Sequence, residues 1–505
     1  MGARLIIVSN RVAPPDPKET PTAGGMAVAV KAALKNRKGI WFGWSGKVSE
    51  EPELQPRMID AKNVTYVLVD LSQNDVQEYY NGLANSVLWP ILHYRVDLQE
   101  YSRADASGYM RVNRMFADRL SPLISEEDVI WVHDYHLMLL GRELRSRGHR
   151  NKIGFFLHTP CAPADIIQTL PLHDVIFGSL AHYDLVGFQT ANDRDNFARY
   201  LVARGAQPRG ESFELDGRRV RLGVFAVSIE TKTYMRLARN AGRSAMVALV
   251  KESLGGNRLV LGVDRLDYSK GIPDRIKAFE RFLENCEEWR GKVTFLQITP
   301  KSRSEVREYG EIEAEVTGLI GRVNGRFGDA AWTPIRYVNR SYSRTVLAGL
   351  YRAADVAFVT PLRDGMNLVA KEYVAAQDPE EPGVLILSEF TGAARELDQA
   401  LIVNPHETDA VAAALKRALE MPAEERRRRH APMAAHPFKN DISKWAEDYL
   451  QVLAGSSPAR RLLQSLRTLL APQMQMHEPQ PQFLERPPSS EGPANFSATG
   501  VRRAR

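Results

Sequence analysis

The sequence contains few cysteines and no long apolar segment. Only Cys161 and Cys286 occur among 505 residues, which is too few for a disulfide scaffold and fits a reducing cytosol. No apolar run approaches the roughly 20 residues of a membrane span. Residues 1–8 pass into a strand-like segment with no small-residue cleavage site behind them, so we expect no secretory signal. We therefore expect a cytoplasmic protein with no membrane partner.

Several enzyme signatures are also missing. The first strand-to-helix turn carries neither G-x-G-x-x-G nor GxxxxGK(S/T), which argues against a dehydrogenase and a kinase. The stretch HDYH at 133–136 has no spaced partner of the H-E-x-x-H kind, so we predict no metal site. The formal net charge of +6 is small for this length, and the basic run at 426–429 has no interleaved aromatic residues. We therefore predict no nucleic-acid partner.

Short apolar runs alternate with amphipathic segments nearly throughout the chain. The runs are rich in Val, Ile, Leu and Phe without period-two alternation, which is typical of parallel strands covered on both faces. They are residues 5–9, 129–132, 153–157, 185–188, 259–263, 293–298, 356–359, 384–387 and 401–403. Helical segments such as 26–34, 275–286 and 410–419 lie between them. This order predicts an α/β protein with doubly wound parallel sheets.

The length favours about two to four domains. A strand-like segment at 221–229 is followed by a helical connector, and GGN at 255–257 introduces a fresh strand. We therefore predict one Rossmann-like domain over residues 1–235 and a second over 236–455. Residues 456–505 form a tail. From about residue 472 its prolines lie among Gln, Glu and Ser, which predicts disorder.

Polar residues follow six of the predicted strands, in both domains. Ligands of doubly wound sheets bind at the carboxyl ends of strands, so residues at these positions converge on one edge of each sheet. In chain order, the residues at these six strand ends are Asn10 and Arg11, then His133, Asp134 and His136, then His158, Arg265, Arg303 and Asp364. Their distribution predicts a cleft between the two domains.

Two motifs in the second half suit a sugar joined to a diphosphate. In VDRLDYSKG (263–271), Arg265 and Lys270 can hold phosphates, and in TPLRDGMNLVAKE (360–372) a glycine turn opens a helix whose free N–H groups favour anions. Asp364 and Glu372 are acceptors suited to sugar hydroxyls. In the first half, Gly24 and Gly25 precede a helix and either approach a phosphate or form a plain loop-to-helix turn.

Other residues allow two interpretations. Asp193-Arg194-Asp195 matches a D-x-D metal clamp, but a helix start capped by Thr190 fits better. Lys371 is a candidate Schiff-base lysine or, in the favoured interpretation, a paired lysine. Tyr80 and Trp89 are either core or faces on which a sugar stacks. Cys161 lies near His158 without an evident oriented base, so we do not assign it as a nucleophile.

These residues together resemble a known family. Over residues 4–450 the chain is similar to bacterial UDP-forming α,α-trehalose-phosphate synthases. The matching segments are VSNR (8–11), AGG (23–25), WFGWSG (41–46), HDYH (133–136), DRLDYSKG (264–271), NGRFG (324–328) and 362–377. The resemblance implies the type-B glycosyltransferase fold, in which two Rossmann-like domains face each other across a cleft. It also implies that a helix over residues 441–453 crosses back to the first domain.

The resemblance carries roles residue by residue. It implies that the acceptor, glucose 6-phosphate, is bound by Arg11, Tyr80, Trp89, Asp134 and Arg303, with the two arginines on its phosphate. It implies that the nucleotide-sugar donor is bound by Gly24, Gly25, Arg265, Lys270, Tyr342, Asp364, Met366, Asn367, Leu368, Val369, Ala370, Lys371 and Glu372. His158, Asp364, Arg265, Lys270 and Asp134 form the implied catalytic set. Thr159 and Cys161 depart from the more apolar or aromatic residues of the family in this loop.

The implied reaction moves glucose from UDP-glucose to the anomeric hydroxyl of glucose 6-phosphate with retention of configuration. It yields trehalose 6-phosphate and UDP, needs no cofactor, and in the family is performed by a homotetramer. One alternative is a sister transferase with another phosphorylated acceptor, and another is a catalytically silent sugar-phosphate sensor. A phosphorolytic enzyme with pyridoxal phosphate is a third. The side chains leave open whether the nucleotide is UDP, ADP or GDP.

Overall fold

The computed structural model describes residues 4–14, 25–35, 37–50, 55–300 and 307–455. Gly24, Arg303, most of the proline-rich loop at 14–21 and the tail at 456–505 lie outside the described residues. Strands and helices alternate through most of the described chain, and two separate sheets result. The predicted α/β class is therefore confirmed.

In the described residues, ten strands form the first sheet. They are β1 (Leu5–Arg11), β2 (Gly39–Val48), β3 (Arg57–Ala61), β4 (Val64–Leu71), β5 (Val129–His133), β6 (Lys152–Phe156), β7 (Leu185–Phe188), β8 (Gln207–Arg209), β9 (Ser212–Leu215) and β10 (Arg218–Val224). Their order is β3-β4-β2-β1-β5-β6-β7-β10-β9-β8. The central strands from β4 to β10 pair in parallel, whereas β3, β8 and β9 pair antiparallel at the edges.

The second sheet is parallel throughout its described strands. These are β11 (Arg258–Val263), β12 (Val293–Ile298), β13 (Ile335–Val338), β14 (Val356–Val359), β15 (Val384–Ser388) and β16 (Leu401–Val403). Their order is β13-β12-β11-β14-β15-β16. Successive strands are added in one direction from β11 to β13 and in the opposite direction from β14 to β16, so the order switches between the paired strands β11 and β14. Ligands of such sheets bind at this switch point, beyond the carboxyl ends of the two strands. The predicted diphosphate motifs follow these two strands.

Helices cover the faces of both sheets. The described α-helices of the first half are α1 (Gly25–Leu34), α2 (Gln73–Asp75), α3 (Trp89–Leu92), α4 (Arg103–Leu120), α5 (Leu140–Ser146), α6 (Ala164–Ile167), α7 (His173–Ile176) and α8 (Ala191–Ala203). Those of the second half are α9 (Thr231–Ala241), α10 (Ala245–Leu254), α11 (Ile272–Asn285), α12 (Arg307–Phe327), α13 (Arg344–Ala353), α14 (Leu368–Ala376), α15 (Thr408–Leu419), α16 (Ala423–Lys439) and α17 (Ile442–Leu453). A π-helical stretch, Val76–Leu88, joins α2 to α3. No helix of the described chain is long and apolar enough to cross a membrane.

Local sequence explains several boundaries. Thr190 caps α8, because its side chain accepts a hydrogen bond from the N–H of Asp193. Both carboxylate oxygens of Asp193 are engaged, one by Thr190 and one by the N–H of Cys161, so the cap interpretation is confirmed. The predicted strand at 221–229 was too long: β10 ends at Val224, and beyond it the N–H of Val227 donates to the side chain of Gln189.

The last helix, α17, packs against the first sheet. The hydroxyl of Tyr449 donates to the carbonyls of Phe155 on β6 and Leu185 on β7, at 3.0 and 3.2 Å. The ring of Tyr449 stacks on Trp131, whose centroid lies 4.3 Å away. α17 follows the second sheet in sequence but packs on aromatic residues of the first sheet. This contact links the two halves of the chain.

Candidate active site

The loop after β11 is held in a fixed shape by its own side chains. Asp267 is fully buried and accepts hydrogen bonds from the N–H and hydroxyl of Ser269 at 3.0 and 2.8 Å. Gly271 adopts a left-handed conformation with φ of 60° and begins α11. A Cβ at that position would lie 2.6 Å from the carbonyl oxygen of Thr360, so only glycine fits. The loop therefore presents Lys270 from a rigid base.

Lys270 meets the second motif directly. Its Nζ lies 2.6 Å from Oδ2 of Asp364, and the amide of Asn367 donates to the same oxygen at 3.1 Å. Asn367 has a φ of 68° and caps α14, where its Oδ1 accepts from the N–H of Ala370. The ammonium, the carboxylate and the N-terminus of a helix thus lie together, which suits a phosphate and a neighbouring sugar hydroxyl.

A buried arginine lies beneath this loop. Arg275 is 1% exposed, and its Nη1 lies 2.7 Å from Oδ2 of Asp264. Its other contacts are Oε1 of Gln297 at 3.1 Å, the hydroxyl of Thr360 at 3.1 Å and the carbonyl of Lys270 at 3.2 Å. Burial raises the pKa of Asp264, and the charge of Arg275 opposes that shift. Arg275 therefore joins β11, β12 and β14 under the loop that carries Lys270.

The two lobes, built on the first and second sheets, touch closely beside this loop. A Cβ on Gly365 would lie 2.1 Å from the carbonyl oxygen of His158, which follows β6. The N–H of His158 donates to Oδ1 of Asp134 at 3.2 Å, and Asp134 has a φ of 74° at the end of β5. Three of the predicted strand-end residues, His158, Asp134 and Asp364, are thereby brought to one junction.

His158 is paired with a second histidine. Its Nε2 lies 3.0 Å from Nδ1 of His133, the last residue of β5. Burial lowers the pKa of His158 to about 3, and burial with the charge of His158 lowers the pKa of His133 well below its usual range. Both imidazoles are therefore neutral at physiological pH.

Trp89 of the first lobe contacts the phosphate loop of the second. Its indole N–H lies 3.4 Å from Oδ1 of Asp267, and the guanidinium of Arg265 lies over its ring at 5.8 Å from the centroid. His93 packs against the same indole with centroids 4.0 Å apart. Burial lowers the pKa of His93 to about 4, and Asp267 opposes the shift. Arg265, which was predicted from its motif, and Trp89, which was predicted as an aromatic face for a sugar, thus adjoin.

Other predicted acceptor residues form an aromatic wall. Tyr80 on the π-helical stretch stacks on His136, with centroids 5.8 Å apart and planes 14° apart. Trp44 lies edge-on to Tyr80 at 5.6 Å, and the exposed Arg11 lies over Trp44 at 5.3 Å. This wall provides both ring faces and a cation, which are the groups that a phosphorylated sugar needs.

The start of α14 carries most of the predicted donor residues. Met366 and Ala370 are buried, and Leu368 and Val369 are partly buried. Lys371 is 1% exposed, with its Nζ 2.6 Å from Oε2 of Glu396 and 2.8 Å from the carbonyl oxygen of Val227. This pairing matches the favoured interpretation of a paired lysine. The hydroxyl of Tyr342 accepts hydrogen bonds from the guanidinium of Arg340.

Glu372 has the clearest acid–base perturbation of the predicted donor residues. Burial raises its pKa to about 7, although the charge of Arg344 lowers it. The hydroxyl of Tyr234 lies 3.4 Å from its Oε2. A carboxyl group in this state can change its charge near neutral pH, which affects how well it accepts a hydrogen bond.

Several residues of the site were not identified from the sequence. They are His93, Asp267 and Arg275, of which Asp267 lies inside a matched segment. The hydroxyl of Thr159, beside His158, is buried and makes no hydrogen bond within the described residues. The described residues hold no group of three or more His, Cys, Asp or Glu arranged to bind a metal ion.

Comparisons with known proteins agree with this geometry. Residues 4–455 match the model of glycosyltransferase family 20. The chain is 53% identical over 459 residues to a trehalose-6-phosphate synthase of Sinorhizobium fredii (strain NBRC 101917 / NGR234), covering 90% of this chain and 99% of the relative.

Two solved structures resemble the chain in three dimensions. One is an α,α-trehalose-phosphate synthase (UDP-forming) from Burkholderia xenovorans in complex with glucose-6-phosphate, with 46% identity, a TM-score of 0.87, and coverage of 90% of this chain and 100% of that one. The other is an E. coli protein bound with UDP-2-fluoro glucose, with 45% identity, a TM-score of 0.86 and the same coverage. The shared architecture confirms the predicted type-B glycosyltransferase fold. Since the family match spans nearly all of the described residues, the chain belongs to glycosyltransferase family 20.

Proposed function

We propose that this chain transfers glucose from UDP-glucose to the anomeric hydroxyl of glucose 6-phosphate, giving α,α-trehalose 6-phosphate and UDP. One observation carries the proposal. Lys270 and Arg265 of the second lobe lie beside Asp364, Trp89 and His158 at the junction of the lobes. Phosphate-binding cations, sugar-binding acceptors and an aromatic face are thus assembled where the two sheets' carboxyl ends meet.

In this proposal the second lobe holds the donor. Arg265 and Lys270 neutralise the diphosphate, helped by backbone N–H groups at the start of α14 and by Gly24 and Gly25. Asp364 and His158 hold hydroxyls of the glucose, and Glu372 accepts from the ribose. Tyr342 contacts the base, and residues 368–372 cover the phosphate and ribose. The short Lys270–Asp364 contact supports this arrangement, because it joins the phosphate site to the sugar site.

The first lobe holds the acceptor in the same proposal. Tyr80, Trp89 and Asp134 surround the hexose, and Arg11 and Arg303 bind its phosphate. The neighbouring rings of Tyr80, His136 and Trp44 support this role for the wall that ends at Arg11. The Burkholderia xenovorans structure that contains glucose-6-phosphate supports the choice of acceptor, and the E. coli structure that contains UDP-2-fluoro glucose supports the choice of nucleotide.

We propose transfer on the face from which the diphosphate leaves. The bond between the anomeric carbon and the diphosphate oxygen breaks, and its electron pair leaves with UDP. The acceptor's anomeric oxygen bonds to that carbon, and its proton passes to the departing phosphate. Asp364 is bound by Lys270 and Asn367, which supports a role in orientation rather than as a covalent nucleophile. The protein contributes positioning and electrostatic stabilisation.

A substrate panel tests the proposal. Purified protein is given UDP-, ADP- or GDP-glucose with either glucose 6-phosphate or glycerol 3-phosphate, and both nucleotide release and the phosphorylated product are measured. We expect a phosphorylated non-reducing disaccharide from UDP-glucose and glucose 6-phosphate at the highest rate. Faster transfer to glycerol 3-phosphate indicates a sister transferase, and binding of glucose 6-phosphate without any turnover indicates a sensor. Either outcome contradicts the proposal.

We also propose the domain limits and assembly that the sequence suggests. The chain divides near residue 235 into an acceptor-binding domain and a donor-binding domain that ends near 455. The protein forms a homotetramer in the cytoplasm. Sedimentation velocity at several protein concentrations tests the assembly, and a sedimenting species of monomer mass throughout contradicts it.

A further inference from the structure

His133 is a buried polar residue to which the sequence motifs gave no role. It ends β5 with no exposed surface, directly before Asp134. Its Nδ1 lies 3.0 Å from Nε2 of His158, and its Nε2 is buried without a hydrogen-bond partner among the described residues. A buried polar atom without a partner is costly, so this arrangement needs an explanation.

The surroundings of His133 are aromatic. Trp131 lies 4.6 Å away between ring centroids, and Phe156 and Trp445 lie 6.4 Å away. Trp445 belongs to α17, the helix that returns from the second lobe, and it also lies 6.2 Å from His158. The pair of histidines therefore packs among aromatic rings from both the first sheet and α17.

Only two arrangements of protons are open to a pair of neutral imidazoles in contact at these atoms. In the first, His133 carries its proton on Nδ1 and donates to Nε2 of His158, whose own proton is then on Nδ1. In the second, His158 donates from Nε2, and the proton of His133 is on the buried Nε2. The second arrangement leaves an N–H without an acceptor. The first leaves only an unused lone pair, which folded proteins tolerate more often.

We propose that His133 is a positioning residue that donates from Nδ1 to His158 and holds it in the tautomer with a proton on Nδ1. The inference rests on the proposed function for one step, namely that His158 contacts the donor sugar. Because Nε2 of His158 is taken by His133, Nδ1 is the ring atom left for a ligand. His158 is then a hydrogen-bond donor to an oxygen of the sugar and does not remove a proton from the acceptor.

Asp134 completes the restraint. It accepts from the main-chain N–H of His158 while His133 fixes the ring. His133 and Asp134, at the end of β5, therefore fix the side chain and the backbone of His158, which follows β6. A group held in this way loses little freedom when the sugar binds, which favours catalysis by positioning.

The first test reads the tautomer directly in the ligand-free protein. Protein labelled with 15N-histidine is measured by long-range 1H–15N correlation, and His158 is assigned from the signals lost in His158→Gln. We expect a protonated Nδ1 and an unprotonated Nε2, unchanged between about pH 5 and 8. A protonated Nε2 on His158 overturns the proposal. This result does not depend on any substrate, so it separates the inference from the proposed function.

The second test uses two variants of similar shape. His133→Asn keeps a donor near the position of Nδ1, whereas His133→Leu removes it. We expect His133→Leu to lower kcat by about 10–100-fold, the usual effect of losing a group that orients a functional histidine. His133→Asn retains more activity, and only His133→Leu shows mixed tautomers of His158. Equal losses in kcat, or one tautomer of His158 in both variants, overturn the proposal.

Discussion

Nζ of Lys270 lies 2.6 Å from Oδ2 of Asp364, across 94 positions of sequence. The contact joins the loop after β11 to the loop after β14, at the point where the second sheet reverses its direction of winding. Before substrate binds, the carboxylate of Asp364 already restricts the side chain of Lys270. Substrate binding therefore costs little further conformational entropy at this lysine. A phosphate that enters the site then meets a cation that is already oriented.

Replacing Lys270 tests the role of that cation. Lys270→Ala should lower turnover by about 10²–10³, because losing one well-aimed transition-state donor has an effect of this size. Arg265→Ala should behave similarly. The measurement is the initial rate at saturating concentrations of both substrates.

The control is Lys277→Ala, which removes an exposed lysine paired with Glu315 on the surface. That variant should match the parent protein. Near-parental turnover of Lys270→Ala would remove the residue from the proposed site.

Glu372 should make donor binding depend on pH. Burial raises its pKa to about 7, so the carboxyl is largely protonated below that pH and charged above it. A carboxylate accepts a hydroxyl hydrogen bond more strongly than a neutral acid, by about 1 kcal/mol, which is roughly a factor of five in affinity. The Michaelis constant for UDP-glucose should therefore fall as pH rises through about 7.

Glu372→Gln is the matched control for this dependence. It keeps the size and an acceptor oxygen but does not titrate, so the Michaelis constant for UDP-glucose should stay flat over the same pH range. The phosphate of glucose 6-phosphate ionises near pH 6 and affects the acceptor instead. A parental pH profile in Glu372→Gln would assign the dependence to another group.

Most interior strands could be predicted because burial on both faces requires continuous apolar runs, but β2 and β4, which are also largely buried, were missed. Residues 185–188, 293–298 and 356–359 match the observed interior strands at both ends, and residues 401–403 match the edge strand β16. The edge strands β3 and β8 were not predicted, since their residues are mostly exposed and carry no such run. The partly buried strands β9 and β13 were also missed. Exposure at a sheet edge removes the pattern on which the prediction depends.

The residues of the site could be predicted more fully than their contacts. Sequence chemistry indicated Lys270 and Asp364 separately, one as a phosphate ligand and one as a sugar ligand. Their pairing depends on the neighbouring positions of β11 and β14, which only the fold determines. Arg275 was not predicted as part of the site, because its sequence position within α11 is that of an ordinary helical arginine. Its contacts also depend on the fold.

Arg275 should be required for stability. Arg275→Met removes the partner of Asp264 in a buried pair and should lower the free energy of unfolding by about 3–5 kcal/mol. The measurement is the midpoint of urea unfolding. Arg258→Ala, which breaks the largely exposed pair with Asp355, should cost only about 0.2–1 kcal/mol. Similar losses in the two variants would contradict the importance given to the buried network.

Gly365 should be required because the two lobes meet there. A Cβ on this residue would lie 2.1 Å from the carbonyl oxygen of His158, so Gly365→Ala must move the loop that carries Asp364 away from the first lobe. A displacement of about 1 Å in a catalytic arrangement can cost about 10²-fold in rate.

Gly318 in α12 provides the control, because it has no neighbouring atom within 4 Å of an added Cβ. Gly318→Ala should stabilise the helix by about 0.5–1 kcal/mol with no loss of rate. Steady-state kinetics and thermal unfolding of both variants separate the effects, because the predicted loss in Gly365→Ala is one of turnover. Parental turnover in Gly365→Ala would mean that the close approach of the lobes is not needed for transfer.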